Sequence, residues 1–378
     1  MPELLKNRYN GGFLHGLALR ITAVYPSFQA DAFVNGIMDE TWDALGLKAR
    51  MRRITVNLGR YLPTGYEQAL GILDKVIAGY PAGFNDFSFM FFPDFVEVYG
   101  QEERHWELSM AALERYTPYS SSEFAVRPFI MRYEERMMRQ MAAWAGHGNE
   151  HVRRLASEGC RPLLPWGQAL EGFKKDPLPV LAILEQLKAD PSPYVRKSVA
   201  NNLNDISKNH PALVVKIAGE WYGKGERTDW IVKHGCRTLL KQGNRELLGL
   251  FGFADTDGVR VGSFALGAAS VFIGGDITFS FTIEAKKATG VRLEYAIEYV
   301  KTNGKRSRRI FQISELSFKG NEKKCYTRAH SFADISTRKH YPGTHSVTLI
   351  VNGAERGTLE FEVLPQKTMM ERSLLRRQ

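Results

Sequence analysis

The chain has 378 residues, which is enough for two or three domains. Hydrophobic residues make up 44% and charged residues 24%, as in ordinary globular proteins, and the 34 glycines and 16 prolines exclude collagen-like and disordered chains. The 51 lysines and arginines outnumber the 41 aspartates and glutamates, which gives a formal net charge of +10. This excess favours a polyanionic partner.

The three cysteines, Cys160, Cys236 and Cys325, fit no zinc-binding or disulfide framework, and their sparse, odd number is typical of a reducing cytoplasm. The chain start lacks a basic segment followed by an apolar run, so we expect no secretory signal. No stretch approaches the ~18 uncharged apolar residues of a membrane span. The histidines show no metal-ligand spacing, so we expect neither a metal nor a cofactor.

The apolar residues up to about residue 250 recur at three- and four-residue spacing, which predicts a series of helices such as 66–81 and 176–191. After about residue 257 apolar and polar residues alternate instead, which predicts strands. Seven such stretches, separated by turn residues, predict an immunoglobulin-like β-sandwich. The predicted strands are 259–266, 277–285, 291–300, 307–318, 325–332, 344–353 and 357–364.

A weak repeat runs through the helical part, where a β-branched residue precedes a cation near three predicted helix starts. Val152, Val195 and Val232 mark these starts and are 43 and 37 residues apart. This spacing is typical of two-helix HEAT-like repeats, which stack into a solenoid with one concave face. An irregular helical domain is the alternative. The sequence therefore predicts a multidomain protein with an α domain followed by a β domain. A HEAT-like α-solenoid is expected over 1–256, an immunoglobulin-like β-sandwich over 257–366 and a disordered basic tail over 367–378.

The basic excess lies after residue 120, since residues 1–120 have a net charge of −3, residues 121–250 of +6 and the remainder of +7. The three repeat helices carry polar and cationic residues away from their apolar stripes. These residues are Arg154, Glu158 and Arg161 on 151–161, Lys197, Asn201, Asn204 and Lys208 on 193–208, and Lys233, Arg237 and Lys241 on 229–241. Such cations suit contact with a phosphate backbone, although a solvated surface is the alternative.

Three carboxylates, Glu123, Glu158 and Asp205, lie within this basic region. Each has a structural alternative: Glu123 closes a capping box with Ser120, Glu158 pairs with its neighbouring arginines, and Asp205 pairs with Lys197 or Lys208. In a catalytic role, carboxylates stabilise an oxocarbenium-like sugar and orient water for cleavage of a C–N glycosidic bond.

One tryptophan follows the first of these repeat helices. Trp166 offers an apolar surface for exposed sugars or bases, and core packing or a loop anchor is its alternative role.

The segments that carry these residues are similar to a known family. SSEFAVRPF, HVRRLASEGCRPLLPW, VRKSVANNLNDISKNHP and TDWIVKHGCRTLLKQG resemble the signature segments of AlkC, a branch of the AlkC/AlkD family of HEAT-like-repeat DNA alkylation-repair glycosylases. LKARMRRI and FFPDFVEVYG resemble the AlkC N-terminal region, and the predicted sandwich resembles the immunoglobulin-like domain of one AlkC subset.

The resemblance implies a monofunctional glycosylase that removes cationic alkylated bases (3-methyladenine, 3-methylcytosine and 1-methyladenine) from double-stranded DNA. It implies that the base is not flipped into a deep pocket. It also implies a monomer with no obligate protein partner, in the bacterial cytoplasm and at the nucleoid when bound to DNA. A non-catalytic HEAT-repeat scaffold that binds DNA or protein is the alternative.

The resemblance also assigns site residues. Glu158, Asp205 and Glu123 correspond to the catalytic carboxylates, and Trp166 to the residue lining the lesion site. The expected DNA-binding residues, chosen mainly from the cationic stripes, are Arg127, Arg153, Arg154, Arg161, Arg196, Lys197, Lys233, His234, Arg237 and Lys241. In the sandwich, the basic turns at Lys301–Arg309 and Lys323–Lys324 are expected to touch DNA, with a stabilising or oligomerising appendage as the alternative.

Overall fold

The computed structural model describes residues 4–81, 83–254, 257–335 and 338–366. The chain forms two compact units, one of residues 1–214 with 220–235 and one of residues 215–219 with 236–378. The predicted tail, residues 367–378, lies outside the described residues, as does part of the predicted junction near residue 256. The division into domains at residues 256 and 257 stays a prediction.

The described part of the chain contains sixteen α-helices before the first strand. They are α1 (Gly11–Val24), α2 (Ala30–Ile37), α3 (Leu47–Tyr61), α4 (Tyr66–Ala78), α5 (Phe91–Tyr99), α6 (Trp106–Tyr116), α7 (Val126–Arg132), α8 (Glu134–Ala145), α9 (Glu150–Gly159), α10 (Glu171–Lys175), α11 (Leu178–Leu187), α12 (Pro193–Ile206), α13 (Pro211–Trp221), α14 (Glu226–Gly235), α15 (Arg237–Lys241) and α16 (Arg245–Leu250).

The repeat helices begin at capped positions. The Asn149 side chain accepts from the His151 backbone N–H at the start of α9, and Ser192 does the same for Tyr194 at the start of α12, where Pro193 takes the first helical position. Helix α9 packs against α8 and α12, and α12 packs in turn against α14. This stacking of equivalent helices confirms the predicted HEAT-like repeats.

Two glycines allow the close approach of these helices. A Cβ at Gly159, the last residue of α9, would lie 2.6 Å from Val126 Cγ2, and one at Gly235, the last residue of α14, would lie 3.1 Å from Leu203 Cβ. Both distances are tighter than ordinary side-chain packing allows. A larger residue at Gly159 would therefore force a shift in this packing, and one at Gly235 would require Leu203 to give way by a few tenths of an ångström.

The single helix predicted over 229–241 is wrong. Helix α14 ends at Gly235, and α15 begins at Arg237 after Cys236 leaves the helical conformation with φ −85° and ψ 3°. Lys233 therefore lies on a different helix from Arg237 and Lys241. The apolar spacing continues through the break, which is why the sequence pattern misses it.

Eight strands form the sandwich within the described residues. They are β1 (Val259–Leu266), β2 (Ser270–Phe272), β3 (Asp276–Ala285), β4 (Thr289–Val300), β5 (Arg306–Phe318), β6 (Glu322–Ser331), β7 (Gly343–Val351) and β8 (Ala354–Leu364). One sheet has the order β1-β3-β6 and the other β2-β8-β7-β4-β5. The predicted α-then-β fold class is confirmed, and β2 is an addition whose three residues are too few to show alternation.

The sandwich core includes a cluster of aromatic and histidine side chains. The His330 ring bonds the Tyr295 hydroxyl through Nδ1 at 2.9 Å and the Tyr299 hydroxyl through Nε2 at 2.6 Å. Burial, with smaller contributions from the Arg338 and His340 charges, lowers the pKa of His330 to about 4. Burial lowers the pKa values of His340 and His345 as well.

We predict that the second unit loses stability as the pH falls from about 6.5 to 4. The unfolded chain binds a proton at position 330 near pH 6.5, whereas the folded chain binds it only near pH 4. The unfolded state therefore holds more protons in this window, and His330 alone accounts for up to about 3 kcal/mol. Hydrogen exchange of peptides from β3, β4 and β6, corrected for the intrinsic pH dependence, measures the loss. The His330→Gln variant should lose less stability than the wild-type protein over this pH range. An equal loss in the variant and the wild-type protein would contradict His330 as its cause.

Candidate active site

The loop before α7 places Glu123 beside α9. The predicted capping box of Ser120 and Glu123 does not form, because α7 begins only at Val126. Instead, Glu123 Oε2 accepts from Ser121 Oγ at 2.8 Å and from Arg154 Nη1 at 2.7 Å. The carboxylate is thus tied to the helix that carries Glu158.

Three carboxylates and three cations alternate in one continuous series of contacts, which we call the ion-pair chain. Arg154 Nη2 lies 3.5 Å from Glu158 Oε1, Arg161 Nη1 lies 2.7 Å from the same oxygen, and Arg161 Nε lies 2.8 Å from Asp205 Oδ2. Lys208 Nζ closes the series at 3.0 Å from Asp205 Oδ1. The ion-pair chain consists of Glu123, Arg154, Glu158, Arg161, Asp205 and Lys208, so its formal charges sum to zero.

The central part of the ion-pair chain is buried. The side chains of Glu158, Arg161 and Asp205 are 7%, 8% and 3% exposed. Burial by itself lowers the pKa of Arg161, but the Glu158 and Asp205 carboxylates overcome this and raise it above its ordinary value. Arg161 is therefore a permanent cation shared by two carboxylates from successive repeats.

Both of these carboxylates occupy the penultimate positions of their helices. Glu158 precedes the last residue of α9, and Asp205 precedes the last residue of α12. The C-terminal end of a helix carries partial negative charge, so a carboxylate there is unfavourable unless a cation is near. Arg161 and Lys208, each three residues further along, supply that charge.

Buried polar contacts fix the distance between α9 and α12 beneath the carboxylates. Ser157 Oγ and Ser198 Oγ lie 2.7 Å apart, and Asn202 Nδ2 donates to the Ser157 carbonyl at 2.8 Å. Ser157 precedes Glu158, and Asn202 lies one turn before Asp205. Since buried hydrogen bonds are costly to break, these contacts hold the two acidic positions in register.

The loop after α9 presents Trp166 to solvent. Trp166 is 63% exposed, which excludes the core-packing alternative, and its ring lies 6.4 Å from the Phe87 ring in an edge-on contact. Arg127 closes the base of this loop by donating to the carbonyls of Gly159, Arg161 and Gln168 at 2.9, 2.9 and 2.6 Å.

Comparisons with known proteins agree with this arrangement. A family model described as "DNA alkylation repair enzyme" matches residues 117–239, and one for the C-terminal Ig-like domain of YhaZ matches residues 260–365. The uncharacterized protein YhaZ of Bacillus subtilis (strain 168) is 48% identical over 359 residues, covering 95% of this chain and 99% of that protein.

A solved structure matches the chain over nearly its whole length. It is the Pseudomonas fluorescens alkylpurine DNA glycosylase AlkC bound to DNA containing an abasic site analog. That protein is 38% identical with a TM-score of 0.91, and the match covers 96% of this chain and 100% of the AlkC chain. The chain belongs to the AlkC family of DNA alkylation-repair proteins. The family resemblance predicted from the sequence segments is thereby confirmed.

Several cations predicted to bind DNA have other partners in this AlkC-family chain. Arg127 is 1% exposed and donates its described hydrogen bonds to the carbonyls of the Trp166 loop, and burial lowers its pKa to about 10. Arg153 pairs with Asp190 and donates to the carbonyls of His147 and Gly148. These two side chains differ from the prediction because their spacing in sequence does not reveal the loop carbonyls that surround them.

Three more predicted cations also act within the protein. Arg196 donates to the carbonyls of Asp190 and Pro191, and Arg154 and Arg161 belong to the ion-pair chain. Lys197 and Lys241 are exposed, Lys233 and Arg237 are half-buried, and His234 stacks on the Trp230 ring at 5.0 Å. These last five residues stay predicted DNA contacts.

Sequence reasoning missed two residues around the site. The Tyr194 ring lies beneath the Arg154 guanidinium at 4.7 Å, and Lys48 Nζ donates to the Trp166 carbonyl at 3.0 Å. Tyr194 stands at the start of a cationic helix, where an exposed aromatic residue is a usable signal. The contact of Lys48 spans 118 positions in sequence and leaves no local pattern.

Two further properties concern all the described residues. None of the helices there combines the length and apolar character needed to cross a bilayer. The same residues contain no group of three or more His, Cys, Asp or Glu side chains suited to a metal ion.

We predict that Arg161→Gln destabilises the helical unit by about 3 kcal/mol or more, because it leaves two buried carboxylates without their shared cation. All six tryptophans belong to that unit, so urea unfolding followed by tryptophan fluorescence reports on it alone. Arg139→Gln is the matched control: Arg139 and its partner Glu135 are 72% and 94% exposed. The control should cost less than about 1 kcal/mol, and equal losses in the two variants would contradict the importance of the buried pairs.

Proposed function

We propose that this AlkC-family chain is a monofunctional DNA glycosylase that hydrolyses the N-glycosidic bond of cationic alkylated bases in duplex DNA. The expected substrates are 3-methyladenine, 3-methylcytosine and 1-methyladenine. The observation that carries the proposal is the sharing of Arg161 by Glu158 and Asp205, which fixes two carboxylates from adjacent repeats beside a loop with an exposed tryptophan. The likeness to the AlkC protein solved with abasic DNA supports it.

The chemistry suits ionised carboxylates. An alkylated cationic base leaves C1′ with the electron pair of the C–N bond and becomes neutral, so it needs no strong general acid. The sugar develops positive charge, which the carboxylates stabilise, and water then bonds to C1′ and loses a proton to a carboxylate or to solvent. The products are the free base and an abasic site.

The contacts suggest how the three carboxylates divide this work. Among the described residues, both donors to Glu158 act on Oε1 and both donors to Glu123 act on Oε2, so we assign the other oxygen of each carboxylate to the contact with water or sugar. Asp205 uses both oxygens. Its Lys208 partner is 42% exposed, so one Asp205 oxygen becomes available when that lysine moves into solvent.

The exposure of Trp166 supports recognition without base flipping. An indole that is 63% exposed on a surface loop offers an open face for a base or sugar, whereas a flipped base needs an enclosed pocket. The lesion is therefore proposed to stay outside a deep cavity while its deoxyribose faces the carboxylates.

We predict that the full-length protein releases the base from a duplex oligonucleotide containing one 3-methylcytosine, in the presence of EDTA and without cleaving the strand. Asp205→Asn and Glu158→Gln should each lower the single-turnover rate by on the order of 100-fold, because each removes charge that stabilises the sugar cation. Affinity for an abasic-site duplex should persist in both variants. Chromatography of the released base and gel analysis of the heated and unheated strand provide the measurements.

The matched control is Glu171→Gln on α10, whose carboxylate is 65% exposed and pairs only with Lys174 among its described contacts. It should retain the wild-type rate. Wild-type rates in both site variants would refute the catalytic assignment. Tight, salt-dependent DNA binding without any base release would instead support the non-catalytic scaffold.

We also propose that the sandwich contacts DNA through its basic turn between β4 and β5. Lys301 and Lys305 are exposed in the turn, and Arg309 is exposed on the adjoining strand β5. The Lys301 backbone N–H donates to the Lys305 carbonyl at 2.9 Å and closes the turn. Closely spaced cations on a rigid turn suit a phosphate backbone.

The triple variant Lys301→Gln/Lys305→Gln/Arg309→Gln should bind duplex DNA more weakly. The slope of log K against log salt, where K is the binding constant for DNA, should become less steep by about 0.9 for each phosphate that the variant no longer neutralises. Fluorescence anisotropy at several salt concentrations measures both quantities. Lys286→Gln/Lys287→Gln, in the exposed turn between β3 and β4, is the control, and equal effects of the two variants would contradict a specific role for the β4–β5 turn.

A further inference from the structure

Trp166 has an unfavourable backbone conformation for a large exposed residue. Its φ is +62°, in the left-handed region that bulky L-residues seldom adopt because the side chain crowds the backbone there. Such a conformation persists only when neighbouring groups impose it, and it is common at functional sites. Arg127 holds the base of the loop, so other contacts must fix its tip.

Lys48 provides such a contact from a distant part of the chain. Its ammonium group donates to the Trp166 carbonyl at 3.0 Å, and the same group lies 4.8 Å from the centre of the Phe124 ring. Phe124 directly follows Glu123. One side chain on α3 therefore contacts both the backbone of the exposed tryptophan and the residue next to a carboxylate of the ion-pair chain.

A second N-terminal residue contacts the ring of the tryptophan. The Phe87 ring meets the Trp166 indole edge-on, at 6.4 Å between ring centres. Lys48 and Phe87 both precede residue 117, where the match to the DNA alkylation repair model begins. The Trp166 loop thus has contacts with two residues that lie outside the segment that carries the carboxylates.

We propose that Lys48 is a positioning residue for base excision, holding Trp166 where its indole faces the lesion. The inference rests on the proposed glycosylase function and adds a residue that does not touch the reacting atoms. The ammonium fixes the Trp166 carbonyl, the carbonyl fixes the left-handed backbone, and the backbone sets the direction of the ring. Loss of the ammonium would misplace the ring by a fraction of its width, which is enough to slow a reaction that depends on orientation.

A direct contact between Lys48 and a phosphate is the competing role for an exposed lysine, and salt dependence separates the two. A phosphate ligand contributes about 0.9 to the slope of log K against log salt, whereas a positioning residue contributes nothing to it. Both roles lower the reaction rate at limiting enzyme, so only saturating enzyme isolates the step after binding.

The experiment uses full-length Lys48→Met, which keeps the length of the side chain but removes its donor and charge, and Lys48→Arg, which restores both. Lys75→Met, an exposed lysine on α4, is the matched control. We expect Lys48→Met to lower the single-turnover rate on 3-methylcytosine duplex at saturating enzyme by on the order of 10-fold or more. Lys48→Arg should recover most of the rate, Lys75→Met should keep the wild-type rate, and the salt slope for abasic DNA should stay unchanged.

Tryptophan quenching supplies a readout independent of activity. Four of the six tryptophans are almost fully buried, namely Trp42, Trp106, Trp144 and Trp221. In a Trp230→Phe background Trp166 is the remaining exposed one, at 63%. Acrylamide quenching then reports on Trp166, and Lys48→Met should change its quenching constant whereas Lys75→Met should not.

The outcomes are distinct. A reduced salt slope in Lys48→Met would assign Lys48 to the phosphate backbone and overturn the proposal. Wild-type quenching would also overturn it, because Trp166 would not depend on Lys48, and so would a wild-type rate despite altered quenching. An inactive wild-type protein with altered quenching in Lys48→Met would refute the proposed function while leaving Lys48 as the residue that holds Trp166.

Discussion

The site depends on one cation that two helices share. Arg161 lies just beyond α9, and its guanidinium reaches Glu158 on its own repeat and Asp205 on the next. Each carboxylate stands at a helix C-terminus, where the helix dipole opposes it, and each is nearly buried. Without Arg161, the cations left in the ion-pair chain would be Arg154, 3.5 Å from Glu158, and the partly exposed Lys208 beside Asp205. Both buried carboxylates would then be much less favourable.

The neutrality of the ion-pair chain addresses a difficulty for any enzyme that brings carboxylates to DNA. A free cluster of three anions would repel the phosphate backbone. Here Arg154, Arg161 and Lys208 balance Glu123, Glu158 and Asp205. In the proposed reaction, the acidic groups therefore add no net charge against the polyanion, while their oxygens supply the local negative potential that a sugar cation requires.

The sequence predicted the fold class well, because the change from a three-to-four-residue spacing to a two-residue spacing reflects two different kinds of core. The sequence pattern did not predict the helix break at Cys236, because the apolar spacing continues through that residue. It also missed β2, whose three residues are too few to show an alternating pattern. The capping box at Glu123 was wrong because α7 begins three residues later, at Val126.

The sequence indicated which residues belong to the candidate site, but not the contacts that they make. Glu158 and Asp205 lie in segments that resemble a family, so their importance was visible, but their sharing of Arg161 depends on the stacking of two helices. The contacts of Arg127 and Arg196 with loop carbonyls, and of Lys48 with the Trp166 carbonyl, involve backbone atoms of other segments. Backbone acceptors carry no residue-type signature, so side-chain patterns assigned these cations to DNA or overlooked them.

The glycines that end α9 and α14 have a consequence for substitutions around the carboxylates. A Cβ at Gly159 would lie 2.6 Å from Val126 Cγ2 on α7, and one at Gly235 would lie 3.1 Å from Leu203 Cβ on α12. Glu158 directly precedes Gly159, and Leu203 lies two residues before Asp205. A larger residue at either glycine would therefore disturb the packing next to an acidic group, although neither glycine belongs to the ion-pair chain.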